Sequence, residues 1–201
     1  MSQGYFSIAE TDEVRSAQER LGSRAAVARR ARAQGSSADP EPRDRFTAAE
    51  QEFVGDRDGF YLASVSSTGW PYVQFRGGPP GFVRTPDPHT LAWADFRGNR
   101  QYISTGNVEG DDRVSLFFMD YPHRARLKVF GHARIVGARD DPDLLAKLTV
   151  PGYRAVVEQA VVVTIAAFDW NCPQHITPRF SPVELESLLG RDAGTEDVDA
   201  G

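Results

Sequence analysis

Two bends in the middle of the chain carry residues that could bind a phosphate group. Residues 76–78 read RGG and residues 97–100 read RGNR. Glycine lets backbone N–H groups come close to an anion, and arginine supplies a planar fork of donors that matches phosphate. Each bend follows an alternating apolar run of the kind that forms a β-strand. If the two strands are neighbours, the bends converge on one phosphorylated ligand.

Taken alone, each bend also fits an ordinary structural element. Residues 76–78 could simply end a hairpin, and residues 97–100 could form a polar turn before a helix. The position of the second bend favours a role in binding an anion. Residues 100–105 predict a short helix, and the N–H groups at the start of a helix favour an anion. Asn99 and Gln101 could also bond the carbonyl and N–H groups of a flavin pyrimidine ring.

Other polar residues lie later in the chain. Arg126 and Lys128 alternate with apolar residues, so they either add positive charge near the ligand or lie on the wet face of a sheet. Residues 169–175, DWNCPQH, follow a strongly apolar strand and carry many side chains that can bond or stack. His175 and Tyr102 are the candidates for an acid or base, although a structural role is the commoner one for such a histidine.

Composition excludes several classes of protein. The 201 residues carry a net charge of −5, which does not favour binding to nucleic acid or to an anionic membrane. Cys172 is the single cysteine, so an internal disulfide is excluded. The four histidines lack paired ligand spacing, and we expect no metal site. No apolar run reaches the roughly 18 residues of a membrane span, and the N-terminus lacks an apolar signal core, so we expect a cytoplasmic protein.

The order of predicted elements favours an antiparallel β-barrel. A helical segment with a linker occupies residues 1–42 and contains a helix over 11–34 that residues 22–23 divide; residues 43–190 form the domain, and residues 191–201 a disordered acidic tail. Strands are predicted at 60–65, 70–75, 90–94, 113–119, 126–136 and 161–168, with a bulge at Gly131. Helices are predicted at 47–54, 100–105, 141–148, 153–157 and 182–189, and strands and long helices do not alternate as in a doubly wound sheet.

Three segments carry a family resemblance. The strings WPYVQFRGGPPGF, LAWADFRGNRQYISTGN and RVSLFFMDY resemble the pyridoxamine 5'-phosphate oxidase-like family of FMN-binding split barrels, and the resemblance extends over residues 47–179. It is closest to the bacterial branch that carries RGGPPGF and RGNRQY. The family implies a mainly β fold with a six-stranded antiparallel split barrel. It also implies a homodimer with two FMN sites at the interface, each built from both subunits.

The resemblance assigns cofactor contacts residue by residue, with Trp170 and Arg179 reaching FMN from the partner subunit. Together with Gln101, the predicted FMN-binding residues are Gln74, Phe75, Arg76, Gly77, Ala94, Asp95, Gly98, Asn99, Arg100, Arg126, Trp170 and Arg179. Three departures stand out: Gln74 replaces an arginine of the oxidase, residues 98–99 replace serine-arginine, and the late RLHDR substrate motif is absent. These departures argue against pyridoxamine phosphate as the substrate.

We therefore expect an FMN-dependent oxidoreductase that acts on a small molecule by hydride or electron transfer. Related split barrels hold several cofactors, so the alternative is a binding protein for haem, a deazaflavin or a tetrapyrrole. A third hypothesis is a structural or partner-binding protein with an empty site.

Overall fold

A computed structural model describes residues 4–35, 44–171 and 173–190. Its strands are β1 (Gly59–Val65), β2 (Pro71–Gly77), β3 (Val83–Asp87), β4 (Thr90–Phe96), β5 (Arg113–Asp120), β6 (Ala125–Gly137) and β7 (Val157–Trp170). Its helices are α1 (Tyr5–Ala9), α2 (Asp12–Arg20), α3 (Arg24–Gly35), α4 (Ala48–Gly55), α5 (Ile103–Gly110), α6 (Pro142–Leu148) and α7 (Pro182–Leu188).

All seven strands belong to one sheet with the order β2-β1-β5-β6-β7-β4-β3, and every neighbouring pair is antiparallel. The predicted mainly β antiparallel fold is confirmed. The sheet has seven strands where the family resemblance implied six. The added strand, β3, carries Pro86 and lies at an edge of the sheet, where a residue without an N–H donor is tolerated.

The long pair β6–β7 bends at Gly131, as predicted. The register of the pair shifts between Phe130 and Gly131. A Cβ added to Gly131 would lie 2.7 Å from the carbonyl oxygen of Thr164, so only glycine permits this close approach of the two strands. The bulge lets the two longest strands curve around the core.

The core fills the inside of this curved sheet. Strands alternate between inward and outward side chains, and β5 shows this most clearly with every second residue buried. Phe60 is central, with its ring 4.9 Å from Phe118 and 5.0 Å from Trp93. Further fully buried members are Leu62, Leu91, Leu116, Leu127, Val129 and Val163.

Several helices begin where the sequence predicted them to begin. Thr47 and Ser181 form the predicted capping boxes of α4 and α7. The predicted division at residues 22–23 is also found, because Gly22 has a φ of 73° and separates α2 from α3. Helix α1 was not predicted; it packs on the outside of the sheet, where Tyr5 stacks on Phe130 at 4.8 Å.

Two predicted helices are wrong in position or type. Helix α5 begins at Ile103 and runs through residues 106–107, which were expected to stop it. Residues 153–157 are not helical, because β7 already begins at Val157. In both places pairing or packing with the sheet overrides a weak local preference. The proposed tail at residues 191–201 and most of the linker lie outside the described residues.

Candidate functional site

An ion pair inside the barrel joins the first predicted bend, residues 76–78, to strand β4. Arg76 and Gln74 point inward from β2, and Asp95 points inward from β4. Arg76 Nη1 lies 2.7 Å from Asp95 Oδ1, with 16% and 10% of the two side chains exposed. The expectation that β2 and β4 are neighbours was wrong, since β1, β5, β6 and β7 lie between them. The sheet curls, and side chains rather than backbone pairing join its two ends.

Hydrogen bonds extend this ion pair into a polar network. Gln159 Nε2 on β7 donates to Asp95 Oδ2 at 3.0 Å and to Thr105 Oγ1 at 3.0 Å. Ser104 Oγ on α5 donates to Gln74 Oε1 at 2.9 Å. Four elements, β2, β4, β7 and α5, are therefore fixed around the same point.

A polar cavity of about 40 Å³ opens beside this network. It has room for about three water molecules, which is the scale of a phosphate group. The residues that line it come from both predicted bends and from the start of β7; they are Gln74, Arg76, Asp95, Phe96, Gly98, Asn99, Arg100, Tyr102, Thr105 and Glu158. The structure thus brings Arg76 and Arg100 to one cavity, as the sequence predicted.

Glu158 holds the loop between β4 and α5. Arg97 Nε donates to Glu158 Oε1 at 2.7 Å, and the hydroxyl of Tyr102 donates to Glu158 Oε2 at 3.1 Å. Arg100 Nε in turn donates to the Tyr102 hydroxyl at 3.3 Å. The hydrogen bond from Arg97 is the main reason that the pKa of Glu158 lies below its usual value. The loop is therefore tied down by a charged carboxylate at neutral pH.

Two residues of this loop have left-handed backbone conformations. Arg100 has a φ of 60° and Tyr102 a φ of 52°. Such a conformation costs on the order of 1–3 kcal/mol for a residue other than glycine and recurs at ligand clamps. The contacts of Tyr102 and Arg100 around Glu158 maintain it here.

Three observations fit an anionic ligand in the polar cavity. Arg76 Nε is buried and has no hydrogen-bond partner among the described residues. A buried donor without a partner costs about 1–3 kcal/mol, which a phosphate oxygen would recover. A Cβ at Gly98 would meet no atom within 4 Å, so its backbone is open to a ligand. No side chain caps the start of α5 at Tyr102, which leaves its first N–H groups available.

Five further residues predicted to contact FMN lie on β2, on β4 or in the loop after β4: Phe75, Gly77, Ala94, Asn99 and Gln101. Phe75 lies on the outer face of β2, 57% exposed, with its ring 5.5 Å from Tyr61. Ala94 is buried next to Asp95, and Gly77 closes β2. Asn99 Oδ1 accepts a hydrogen bond from the backbone N–H of Gln101 at 3.1 Å, and Gln101 does not line the polar cavity.

Arg126, Trp170 and Arg179 form a second group at the far end of the protomer. Gln159, which touches Asp95, pairs with Gly137 at the end of β6, whereas Arg126 lies near the start of that strand. Eleven residues of strand correspond to roughly 35 Å. One chain by itself therefore does not bring the second group to the polar cavity.

Each member of the second group has contacts within its own chain. Trp170 Nε1 donates to Glu50 Oε1 at 2.7 Å, and its ring packs on Phe53 at 4.6 Å. The guanidinium of Arg179 lies 4.9 Å from the ring centre of Tyr121. The guanidinium of Arg126 donates to the side-chain oxygen of Asn171 when that amide is turned toward it.

The two candidate acid–base residues differ in position. Tyr102 lines the polar cavity, whereas His175 is exposed, has a φ of 62° and does not line the polar cavity. Cys172 lies outside the described residues.

The sequence did not point to Ser104, Thr105, Glu158 or Gln159 as site residues. Ser104 and Thr105 lie on a helix that was predicted to begin earlier. Glu158 and Gln159 directly follow residues 153–157, which were predicted to form a helical turn. The sequence analysis therefore did not place them at the start of a strand. Extending the strand of the apolar run 161–165 backwards puts Gln159 on the same face as Val161 and Val163, and this signal could have found Gln159. Glu158 lies at the register shift between β4 and β7, which no alternation marks.

The curled antiparallel sheet with a polar cavity at its seam places the molecule among the split β-barrels. The family model described as pyridoxamine 5'-phosphate oxidase matches residues 46–171, more than half of the chain. The chain belongs to the pyridoxamine 5'-phosphate oxidase family. No curated protein matches its sequence closely enough to be counted as a relative.

Several solved structures are similar to this chain. HupZ of Group A Streptococcus has a TM-score of 0.51 and 15% identity, and the match covers 67% of this chain and 100% of that one. A putative pyridoxamine 5'-phosphate oxidase of Lactobacillus delbrueckii has a TM-score of 0.47 and 20% identity, with 63% and 94% covered. An FMN-binding protein of Syntrophomonas wolfei has a TM-score of 0.47 and 11% identity, with 62% and 84% covered. At these identities the likeness concerns the fold alone.

The described residues contain neither a helix that could span a membrane nor a cluster of metal-binding side chains. Within residues 4–35, 44–171 and 173–190, no helix has the length and apolar character needed to cross a bilayer. The same part of the chain holds no group of three or more histidine, cysteine, aspartate or glutamate side chains arranged to bind a metal ion.

Proposed function

We propose that this protein binds FMN and is an FMN-dependent oxidoreductase acting on a small molecule. The observation that carries the proposal is the buried, unpartnered Nε of Arg76 beside a polar cavity that Arg100 and Gly98 also line. Membership of the pyridoxamine 5'-phosphate oxidase family supports the choice of a flavin among anionic ligands.

The polar cavity would hold the phosphate end of FMN. Arg76 donates from Nε while its Nη1 stays on Asp95, so the ion pair keeps the guanidinium in place for the ligand. Arg100 and the open N–H groups at the start of α5 supply further donors. The amide of Gln74, whose oxygen accepts a hydrogen bond from Ser104, lines the same cavity and would contact the cofactor there.

Binding of the flavin ring needs the second group of residues. When bound, FMN supplies the hydride or electron transfer, and the chain's own residues bind and orient it. Arg126 would place positive charge near the pyrimidine edge, which stabilises an anionic reduced flavin. Because Arg126 and Arg179 lie far from Arg76 within one chain, a site that uses both groups requires a second copy of the chain.

An exposed apolar surface supports such a homodimer. On the outer face of the β1–β2 hairpin, Val73 is 60% exposed, Phe75 57%, Val65 40% and Tyr61 39%. Contiguous apolar surface of this kind marks protein–protein contacts. We propose that this face lies in the dimer interface, with one FMN site at each end.

The Arg100→Ala variant tests the proposal. Loss of a charge-assisted hydrogen bond predicts at least about tenfold weaker FMN binding, measured as flavin absorbance per protein after gel filtration. Arg134→Ala is the matched control, because Arg134 is an exposed arginine on β6 that does not line the polar cavity. Wild-type flavin content in Arg100→Ala would contradict the phosphate assignment.

The visible spectrum of the purified wild-type protein separates the alternatives. A flavin double band, with FMN identified by mass after release, supports the proposal. A Soret band, or the spectrum of a deazaflavin or a tetrapyrrole, would show that the protein holds that cofactor instead of FMN. A colourless protein whose melting temperature does not change when FMN is added has no flavin site, because a ligand of the folded state must stabilise it.

A further inference from the structure

The helices α1, α2 and α3 form a segment that packs on the outside of the sheet. We call residues 5–35 the N-terminal segment. It precedes residues 46–171, so the family model does not account for it. Arg24 on α3 joins its helices, because Arg24 Nη1 donates to Glu10 Oε1, just after α1, at 2.5 Å and to Gln18 Oε1 of α2 at 3.2 Å. The three helices are therefore tied to one another.

Aromatic contacts fix α1 on strand β6. The ring of Tyr5 stacks on Phe130 at 4.8 Å, and Lys128 Nζ lies 5.0 Å from the centre of the same ring. Tyr5 is buried by these contacts. Phe130 and Lys128 are two residues apart, so they share one face of the strand. The N-terminal segment therefore covers the part of β6 that directly follows Arg126.

Arg30 attaches α3 to the end of strand β7. Its Nη2 lies 3.3 Å from Asp169 Oδ1 and 3.1 Å from Asp169 Oδ2, and it donates to the backbone oxygen of Trp170 at 2.9 Å. The side chain of Asp169 is only 5% exposed. Hydrogen bonds between a guanidinium and a carboxylate are stronger than those between neutral groups. One arginine thus holds two consecutive residues of β7.

The stretch that Arg30 holds continues directly to Arg126. The backbone N–H of Asn171, the residue after Trp170, donates to the backbone oxygen of Arg126 at 3.1 Å. The side-chain oxygen of Asn171, when turned toward it, accepts from the guanidinium of Arg126. Both the backbone and the side chain of Arg126 therefore depend on where the end of β7 lies.

Positive charge is concentrated at this place. Lys128 is opposite Asp169 in the register of β6 and β7. Burial is the main reason that the pKa of Lys128 lies below its usual value; the charge of Asp169 opposes this effect, and the charges of Arg126 and Arg30 add to it. The three cations are thus close enough to act on one another, with Asp169 between them.

We propose that Arg30 is a positioning residue for the flavin ring, because it fixes the end of β7 and, through Asn171, orients Arg126. The effect on the flavin rests on the proposed function. The docking of the N-terminal segment does not, because all its contacts lie within one chain. Arg30 is assigned no contact with FMN and acts through Arg126.

Riboflavin separates the ring contacts from the phosphate contacts, because it has the flavin ring and no phosphate. Titration into flavin-free protein, followed by flavin fluorescence, measures both Kd values. Arg30→Ala should raise the Kd of riboflavin and of FMN by the same factor, at least about threefold, whereas Arg100→Ala should raise only that of FMN. Arg29→Ala is the matched control, because Arg29 is the exposed neighbour of Arg30 on α3. Unchanged Kd values in Arg30→Ala, or a rise for FMN alone, would overturn the proposal.

The reduction potential of the bound flavin distinguishes positioning from a merely structural role. Arg30→Ala should lower the potential, because a displaced Arg126 stabilises the anionic reduced flavin less. Arg126→Ala should lower it as well, and the double variant should show no further shift. Fully additive shifts would show that Arg30 does not act through Arg126. Arg30→Lys keeps the charge without the planar fork and should show a smaller shift; it carries the test if Arg30→Ala does not fold.

Hydrogen exchange on flavin-free protein tests the docking separately. The amides of residues 169–171 should exchange faster in Arg30→Ala than in the wild type or in Arg29→Ala, and equal rates would overturn the inference. If wild-type protein binds neither FMN nor riboflavin, the proposed function fails and the positioning role fails with it. If the wild type binds both flavins and Arg30→Ala binds them equally well, the inference alone is wrong.

Discussion

Arg76 Nη1 and Asp95 Oδ1, 2.7 Å apart, join two strands that four other strands separate in the order of the sheet. The pair lies where the curled sheet would close into a full barrel. It orients Arg76 toward the polar cavity and holds the two sides of the seam together. The ion pair therefore serves both the fold and the candidate site.

Removing Arg76 should destabilise the protein. Arg76→Ala leaves the Asp95 carboxylate buried with Gln159 as its one remaining side-chain partner among the described residues. We expect a loss of about 3 kcal/mol in the free energy of unfolding, measured by urea denaturation. The control is Arg113→Ala, whose ion pair with Asp111 is exposed and should contribute nothing measurable. Equal effects of the two substitutions would contradict a buried, structural ion pair.

Asp120 should contribute to the loss of stability in acid. Burial acts to raise the pKa of this carboxyl, but the backbone N–H of His123 and the charge of Arg57, 2.6 Å away, outweigh it and hold the pKa below its usual 3.8. Stability from such a group is fully present above the unfolded-state pKa and is lost as pH falls through the lower folded-state pKa.

Asp120→Asn should therefore be less stable than wild type at neutral pH, and the difference should shrink as pH falls below about 4. Urea denaturation at a series of pH values measures this. A difference that stays constant from pH 7 to pH 3 would show that the charge of Asp120 does not matter.

Trp170 should stabilise the protomer independently of any cofactor. Its indole N–H donates to Glu50, a carboxylate that is only 7% exposed and also belongs to the capping box of α4. Trp170→Phe should lower the free energy of unfolding of flavin-free protein by about 1–3 kcal/mol. If flavin-free Trp170→Phe is as stable as wild type, Trp170 has no structural role and only a role at the cofactor remains.

The outer face of β2 should control assembly. Val73→Glu places a charge in the apolar surface of the β1–β2 hairpin, and we expect the dimer to dissociate and flavin content to fall with it. Sedimentation velocity measures the first effect and absorbance the second. Leu21→Glu is the control, because Leu21 is 78% exposed and lies between α2 and α3 and not on the β1–β2 hairpin. If the Val73→Glu variant remains dimeric, the dimer interface does not lie on this face of the hairpin.

Local signals in the sequence were sufficient for most elements. The capping boxes at Thr47 and Ser181, the glycine break at Gly22 and the bulge at Gly131 each depend on a few neighbouring residues, and each is found. The arginine and glycine residues that line the polar cavity could also be picked out from the sequence, because residue types suited to an anion stand close together there.

Long-range relationships needed the folded chain. The sequence by itself determined the strands, most helix starts and the residue types suited to an anion. Only the tertiary structure decided that β2 and β4 meet across the seam through Arg76 and Asp95, and that Glu158 and Gln159 complete the site. The reason is physical. Caps, turns and bulges depend on hydrogen bonds between residues that are close in the sequence, so short segments reveal them. The curvature that brings the ends of a sheet together is the sum of many small twists, and no single residue marks it.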